Sequence, residues 1–166
     1  MVLGYGGNKA IFVGEAPGEE EDWKGRPFVG KSGRLARRGL NNLGFSHKSG
    51  FFMNTVLCRP PRNRNPTADE IKACRFRDRL YLAVKLNDCN TVICLGKVAF
   101  SAVVNDRDMF ETLWRMEKCK YRMKLRDITV FVGKTKHPAY YLRQPDSQKS
   151  FESDMYKTLN FLGLLQ

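Results

Sequence analysis

Four short runs rich in β-branched and aromatic residues, at 9–14, 51–56, 91–95 and 128–132, alternate with stretches of helical periodicity. Runs of this length with no polar alternation have the composition of parallel strands covered on both faces. Strands that alternate with helices are joined by right-handed crossovers, which confines the chain to a three-layer α/β/α sandwich around a mostly parallel, four-stranded sheet. Folds of this kind bind ligands at the carboxyl ends of their strands.

The helical stretches carry their own punctuation. Residues 32–43 place Ala36, Leu40 and Leu43 on one face and run into Gly44, a C-terminal cap. A second helix opens on Pro66, Thr67 and Glu70, a capping-box pattern, and continues through a stripe of Phe76, Leu80, Ala83 and Val84. Residues 106–114 form a shorter helix, and Phe151, Met155, Leu159 and Leu162 trace the apolar face of a terminal one. The 166 residues, 42% of them hydrophobic, suffice for one core, so one domain over residues 1–166 is expected.

Three of the loops that follow strands concentrate Gly, Pro, polar and basic residues. The first is GEAPGEEEDWKGRPFVG, residues 14–30, whose glycines permit close backbone approach and whose Phe28 offers an aromatic face. The second is NTVLCRPPRNR, residues 54–64, with two amide side chains and three arginines suited to phosphates. The third is KTKHPAYYLRQP, residues 134–145, in which His137 follows directly on a strand. From spacing alone the first loop is equally readable as an acidic surface turn, and a lone histidine as a structural one. The GYGG segment at 4–7 precedes its strand instead of opening a helix after it, which excludes a dinucleotide-binding turn; Walker A, zinc-finger and HExxH patterns are absent too.

Lysine and arginine number 29 against 17 acidic residues, a formal charge of +12, which points to a polyanionic partner. No run approaches a membrane span, and the amino terminus lacks signal-peptide regions, so the expected location is intracellular: cytoplasm or nucleoid, or the host cell for a viral protein. Five cysteines, Cys58, Cys74, Cys89, Cys94 and Cys119, have no disulfide-framework spacing and no CxxC pair, which favours reduced thiols or a metal site. Cys94, inside an apolar run, is expected in the core.

Taken together, GEAPGEEEDWKGRPFVGKSGRL, NTVLCRPPRNRNPTADEIKAC and HPAYYLR resemble, in order and spacing, the motifs of the family four uracil-DNA glycosylases, the iron-sulfur branch of the uracil-DNA glycosylase superfamily. The resemblance covers nearly the whole chain. It implies a monofunctional repair enzyme that hydrolyses the N-glycosidic bond of flipped-out uracil and leaves an abasic site. The alternatives are a module that recognises uracil without excising it, and a glycosylase for another deaminated or modified base. Uracil-containing DNA, single- or double-stranded, is the implied partner; a monomer, no membrane association, and attachment to or association with replication proteins complete the expectation.

The resemblance also implies residue roles. The backbone at Gly14 to Ala16 lines the uracil pocket, Phe28 stacks on the extruded base, and Asn54 reads its polar edge. A base must leave the helical stack to be cleaved, and uracil's N3 donor and O4 acceptor match an amide oxygen and NH2 group. The same amide turned over matches cytosine, so its neighbours must fix it. His137 stabilises the developing uracil anion near O2, in either protonation state. Ala16 stands where the best-known branch of the superfamily has a water-orienting Asp, which leaves Glu21 and Asn63 as the leading pair for the water, bridging two loops, with Glu15 as a further candidate. Glu19, Glu20 and Asp22 read as solvated acids. Lys31, Ser32, Arg59, Arg64 and Arg143 are the expected phosphate contacts, and Tyr140, Tyr141 and Leu142 the segment that enters the gap left by the base.

Family four holds a four-iron four-sulfur cluster on four cysteines. Cys58 and Cys74 match one pair, a candidate half-site, whereas the segment before Gly14 contains no cysteine. Two thiolates would leave the irons exposed. A cluster-free domain is therefore expected, the alternatives being an upstream segment or a recruited Cys89 or Cys119 as the source of further ligands. No metal is expected to act in the chemistry.

Overall fold

A computed structural model describes residues 10–45, 50–143 and 147–165 of the chain, with only the backbone described over 147–150. Lys9 of the first expected strand, the GYGG segment, and Gln144 and Pro145 of the third loop lie outside the described residues.

The sheet consists of β1 (Ala10–Gly14), β2 (Gly50–Asn54), β3 (Thr91–Leu95), β4 (Tyr121–Leu125) and β5 (Ile128–Thr135), in the order β2-β1-β3-β5-β4. Pairing is parallel except between β4 and β5. The sheet therefore has five strands where four were expected. The extra strand, YRMKL, alternates half-buried with exposed residues and sits at the sheet's edge, so it lacks the continuous apolar run of its neighbours. Its connection to β5 is a two-residue turn, Arg126 and Asp127, in which Arg126 takes a left-handed φ of 57° without the usual Asn-Gly signal.

Eight α-helices complete the described residues: α1 (Glu19–Lys24), α2 (Lys31–Asn42), α3 (Ala68–Ala73), α4 (Phe76–Leu86), α5 (Lys97–Val104), α6 (Arg107–Arg115), α7 (Pro138–Tyr141) and α8 (Ser147–Leu162). Successive strand residues point to opposite faces, and each face has its own core. Ile11, Val13, Val92 and Cys94 pack against α4, α5 and α6 on one side. Ala10, Phe12, Ile93 and Leu95 pack against α2, α7 and α8 on the other. This is the three-layer sandwich, with Cys94 in its core and the terminal stripe Phe151, Met155, Leu159 and Leu162 entirely buried. No helix among the described residues is long and apolar enough to cross a membrane.

Local chemistry explains the helix ends. The capping box is formed: Glu70 N–H donates to Thr67 Oγ1 at 3.2 Å and Thr67 N–H to Glu70 Oε2 at 2.7 Å. The helix it opens does not run on through the apolar stripe as expected. Arg75, at a left-handed φ of 49°, breaks it into α3 and α4. The start of α6 is capped by Asp106, which accepts from Met109 N–H at 2.9 Å.

At the end of α2, Phe45 N–H reaches Leu40 O at 2.8 Å and Gly44 N–H reaches Asn41 O at 3.0 Å, the double closure of a Schellman motif, with Gly44 at φ +81°. A Cβ at Gly44 would touch nothing within 4 Å, so only backbone strain opposes a side chain there. Gly44→Ala should therefore cost about 1 kcal/mol and lower the melting temperature by about 3 °C. An unchanged thermal midpoint would contradict this assignment of the turn.

Candidate active site

The carboxyl ends of β1, β2 and β5 deliver the three unusual loops to one cleft of about 700 Å³. A larger groove of about 870 Å³ runs between α3, α4 and α5, α6 and includes no residue from 14–30 or 134–143. The parallel register of β1 and β2 ends with Gly14 beside Asn54. A Cβ at Gly14 would lie 2.5 Å from Asn54 Oδ1 and 2.7 Å from Phe28 Cζ. Glycine thus lets the amide and the ring face a common backbone surface.

Phe28 is held there at some cost. Its φ of 58° is left-handed, its ring packs 5.2 Å from that of Phe52, and a Cβ on Gly33 would strike its backbone at 2.3 Å. Asn54, 9% exposed, makes no side-chain hydrogen bond among the described residues. Its backbone is secured by buried Thr55, whose N–H reaches Gly14 O and Glu15 O, both at 3.1 Å, and whose hydroxyl donates to Glu15 O at 2.5 Å. Thr55 joins the first loop to the second, a role with no sequence signal beyond its place next to Asn54.

The first loop is folded around Glu21. Its carboxylate accepts from Gly18 N–H at 3.1 Å and Gly30 N–H at 2.6 Å, the residues that precede α1 and α2. Glu21 lines the cleft, but its described partners lie within its own loop; the expected bridge to Asn63 is not formed. Glu15 also lines the cleft, makes no described side-chain hydrogen bond, and has its carboxyl pushed up by burial. Glu20 takes the part expected of the surface acids: hydrogen bonds from Arg34 and then Lys24 bring its carboxyl down to about 2.

In the second loop, Asn63 at φ 55° accepts from Arg59 Nε at 2.7 Å, and Arg59 lies 3.8 Å from Glu19. Asn63 and Arg64 line the cleft, whereas Arg59 does not. Arg64 is engaged in a two-pronged pair with Glu70, at 2.8 and 2.6 Å, so its guanidinium is already satisfied by a carboxylate. Lys31 and Ser32 form the first turn of α2 and line the cleft with the positive end of that helix.

His137 stands at the mouth of the third loop, two residues past β5, as the residue before α7. Its Nδ1 accepts from Ala139 N–H at 3.1 Å. An accepting Nδ1 carries no proton, which leaves the proton of the neutral ring on Nε2. Burial, and secondarily Arg143, lowers the imidazole to about 4. Gly96, at φ +104°, makes room for this ring, since a Cβ there would sit 2.8 Å from His137 Cβ. The loop after β3 thus contributes a fitting residue that its composition did not advertise.

Tyr140 and Arg143 line the cleft, and Leu142 is exposed outside its lining. Tyr141 departs from the expected DNA-entering segment: it is 1% exposed, and its hydroxyl donates to Asp154 Oδ2 at 2.6 Å. Adjacent residues of a helix point about 100° apart, so the tyrosine that follows Tyr140 turns away from the cleft and anchors the loop to α8 instead.

The iron-sulfur cluster implied by the resemblance requires four protein ligands. Cys58 is exposed and Cys74 half-buried, while Cys89, Cys94 and Cys119 are buried, their thiols pushed up by that burial. Cys94 and Cys119 lie in the core over α4, α5 and α6, and Cys89 hydrogen-bonds Thr91 O. Among the described residues no three His, Cys, Asp or Glu side chains are grouped to hold a metal. The residues present do not fit the cluster.

A glycine-floored slot between a ring and an amide, sharing one cleft with a histidine and several acids, is the equipment of a base-binding hydrolytic site. Over residues 3–160 the chain matches the family model of the uracil DNA glycosylase superfamily, and it belongs to that superfamily. Within it, the chain is 36% identical over 168 residues to the type-4 uracil-DNA glycosylase of Archaeoglobus fulgidus, covering 99% of this chain and 83% of the relative. It is 38% identical to the type-4 enzyme of Saccharolobus solfataricus, over 98% of this chain and 76% of the relative. With that of Sulfurisphaera tokodaii the identity is 35%, over 93% and 70%.

The histidine geometry makes a pH prediction. Because the folded pKa lies below the unfolded value near 6.5, the unfolded chain takes up a proton between about pH 6.5 and 4 that the native ring does not. This site's contribution to stability therefore falls as pH drops through that window and is constant above it. NMR titration should find His137 neutral at pH 6, with the proton on Nε2. A ring half-protonated at pH 6.5 would contradict the geometry.

Proposed function

We infer that the chain is a uracil-DNA glycosylase, a DNA-repair hydrolase that cuts the N-glycosidic bond of uracil in DNA. The observation that carries this reading is the slot in which Gly14, Phe28 and Asn54 come together at the end of the paired strands β1 and β2. A flipped base enters with its face on Phe28 and its N3 and O4 edge on Asn54, while the bare backbone at Gly14 to Ala16 approaches its rim. The uncommitted amide of Asn54 leaves both its oxygen and its NH2 for the base.

Cleavage breaks the bond between C1′ and N1, and its electron pair leaves with uracil. Charge builds on N1 and O2, where the Nε2–H of neutral His137 donates a hydrogen bond. No proton need cross from the histidine. The sugar becomes cationic, and water adds at C1′ while its proton passes to a carboxylate. Glu15 is the better placed acid for that water, because its carboxylate has no described partner, whereas each Glu21 oxygen already accepts from a backbone N–H. Burial also pushes the Glu15 carboxyl up, which favours its taking a proton. Glu21 and Asn63 then shape the loops around the water. No step passes through a cluster.

DNA lies across the rim as a single chain-to-strand contact by a monomeric domain. Lys31, Ser32 and Arg143 meet phosphates around the cleft, joined by Arg59 and by Arg64 where Glu70 releases it. Tyr140 and Leu142 fill the gap left by the base. Salt weakens such binding, because counterions released from the phosphates gain less entropy in a more concentrated solution.

In single-turnover assays on uracil-containing oligonucleotides, the protein should release free uracil and leave an abasic site; tight uracil-dependent binding with no released base would instead identify a recognition module. Asn54→Ala, His137→Ala and Glu15→Gln should each slow excision by about 100-fold or more with little change in DNA affinity. Near-normal rates in the first two would remove the assignment. Gly14→Ala should fold and bind DNA but lose excision, since the added methyl occupies the slot. Arg143→Ala should weaken binding and flatten its salt dependence.

A further inference from the structure

Arg79 takes no part in the chemistry outlined above, and nothing in the sequence around it marks it for function. Its position in α4 nonetheless directs the guanidinium back under the base slot. Nη1 donates to Asn54 O at 3.2 Å, Nη2 to Thr55 O at 2.6 Å, and Nε to Cys74 O at 2.8 Å. The guanidinium also lies 5.9 Å from the ring centroid of Phe76. Each of its three nitrogens is therefore spent on a carbonyl where β2 ends or α3 stops.

We propose that Arg79 is a positioning residue for base recognition, holding the end of β2 so that the Asn54 side chain is presented to uracil from one fixed place. The proposal rests on the uracil-excision reading and deepens it. The Asn54 side chain is 9% exposed and has no described hydrogen bond of its own, so where it enters the slot follows from where its backbone is held. That backbone is the last rung of the strand ladder, paired with Gly14 of β1. Thr55 ties one side of the segment to the first loop, and Arg79 ties the other to the turn at Cys74. A half-buried charge with three carbonyl partners is geometrically demanding, because guanidinium donors lie in one plane.

The same three bonds join the stretches that carry Cys58 and Cys74. In this chain, whose described residues do not fit a cluster, a guanidinium performs the cross-linking between those stretches. Lysine cannot replace it, since one ammonium cannot reach three carbonyls spread across a planar fork.

The test is a double-mutant cycle of Arg79→Met and Asn54→Ala on single-turnover uracil excision, with DNA affinity and thermal midpoint measured alongside. In folded protein, Arg79→Met should slow excision by about 10- to 100-fold, the scale of a small displacement at a reacting centre, with DNA affinity unchanged. In the Asn54→Ala background the same substitution should have almost no further effect, because the group it positions is gone. Equal losses in both backgrounds would make Arg79 a general structural residue and overturn the proposal, as would near-normal excision by folded Arg79→Met. Should Arg79→Met fail to fold, Arg79→Lys serves in the cycle, and the same two outcomes decide. If the parent protein releases no uracil, the activity reading fails instead. The cycle is then read on the ratio of binding to uracil and thymine oligonucleotides, where Arg79→Met should lower the ratio only when Asn54 is present.

Discussion

The site depends on the way the parallel pairing of β1 and β2 comes to an end. The register brings Gly14 beside Asn54, one residue with no side chain and one whose side chain has both a donor and an acceptor. Any larger residue at 14 would fill the space that the amide and Phe28 share. Beyond this pair the two strands part, and Thr55 closes the gap through the Glu15 carbonyl. The first two loops are thus fastened at their roots before either makes its own turn. Glu21 then folds the first loop back on itself through the N–H groups of Gly18 and Gly30, which delivers Phe28 to the slot.

Electrostatics divide the molecule in two. The net charge of +12 suits a polyanion, yet the cleft is not simply basic. Arg34, Arg59 and Arg64 are paired with Glu20, Glu19 and Glu70, and the histidine facing the slot is kept neutral by burial and by Arg143. A neutral donor suits an anion that forms only as the bond breaks, since it does not need a counterion in the resting state. The positive end of α2, with Lys31 and Ser32, remains on the rim of the cleft.

Layering and site location were legible in the sequence because they follow from periodicity: buried strands read as apolar runs, and ligand loops sit at their carboxyl ends. The edge strand YRMKL is hard to read in sequence because its half-exposed pattern and its Arg126–Asp127 turn imitate a loop, with only its alternation to mark it. The break at Arg75 leaves no sequence signal, since an apolar stripe continues across it while the helical backbone does not. Motif resemblance points to many of the residues that line the cleft, but Arg59 and Leu142 lie outside that lining, and resemblance does not distinguish facing directions within a single turn, where Tyr141 departs from Tyr140. Thr55, Gly96 and Arg79 act through contacts 24 to 41 residues away in sequence, which no local pattern records.

The proposed reading of uracil by the Asn54 amide is probed most directly by changing the amide's hydrogen-bonding character. The measurement is the ratio of single-turnover excision rates on uracil and cytosine oligonucleotides, for the parent protein and for Asn54→Asp. An Asp offers no NH2 to O4 of uracil, whereas its oxygens can accept from the amino group of cytosine, so the uracil to cytosine ratio should fall by about 100-fold or more. A ratio unchanged by the substitution would show that the base is read elsewhere.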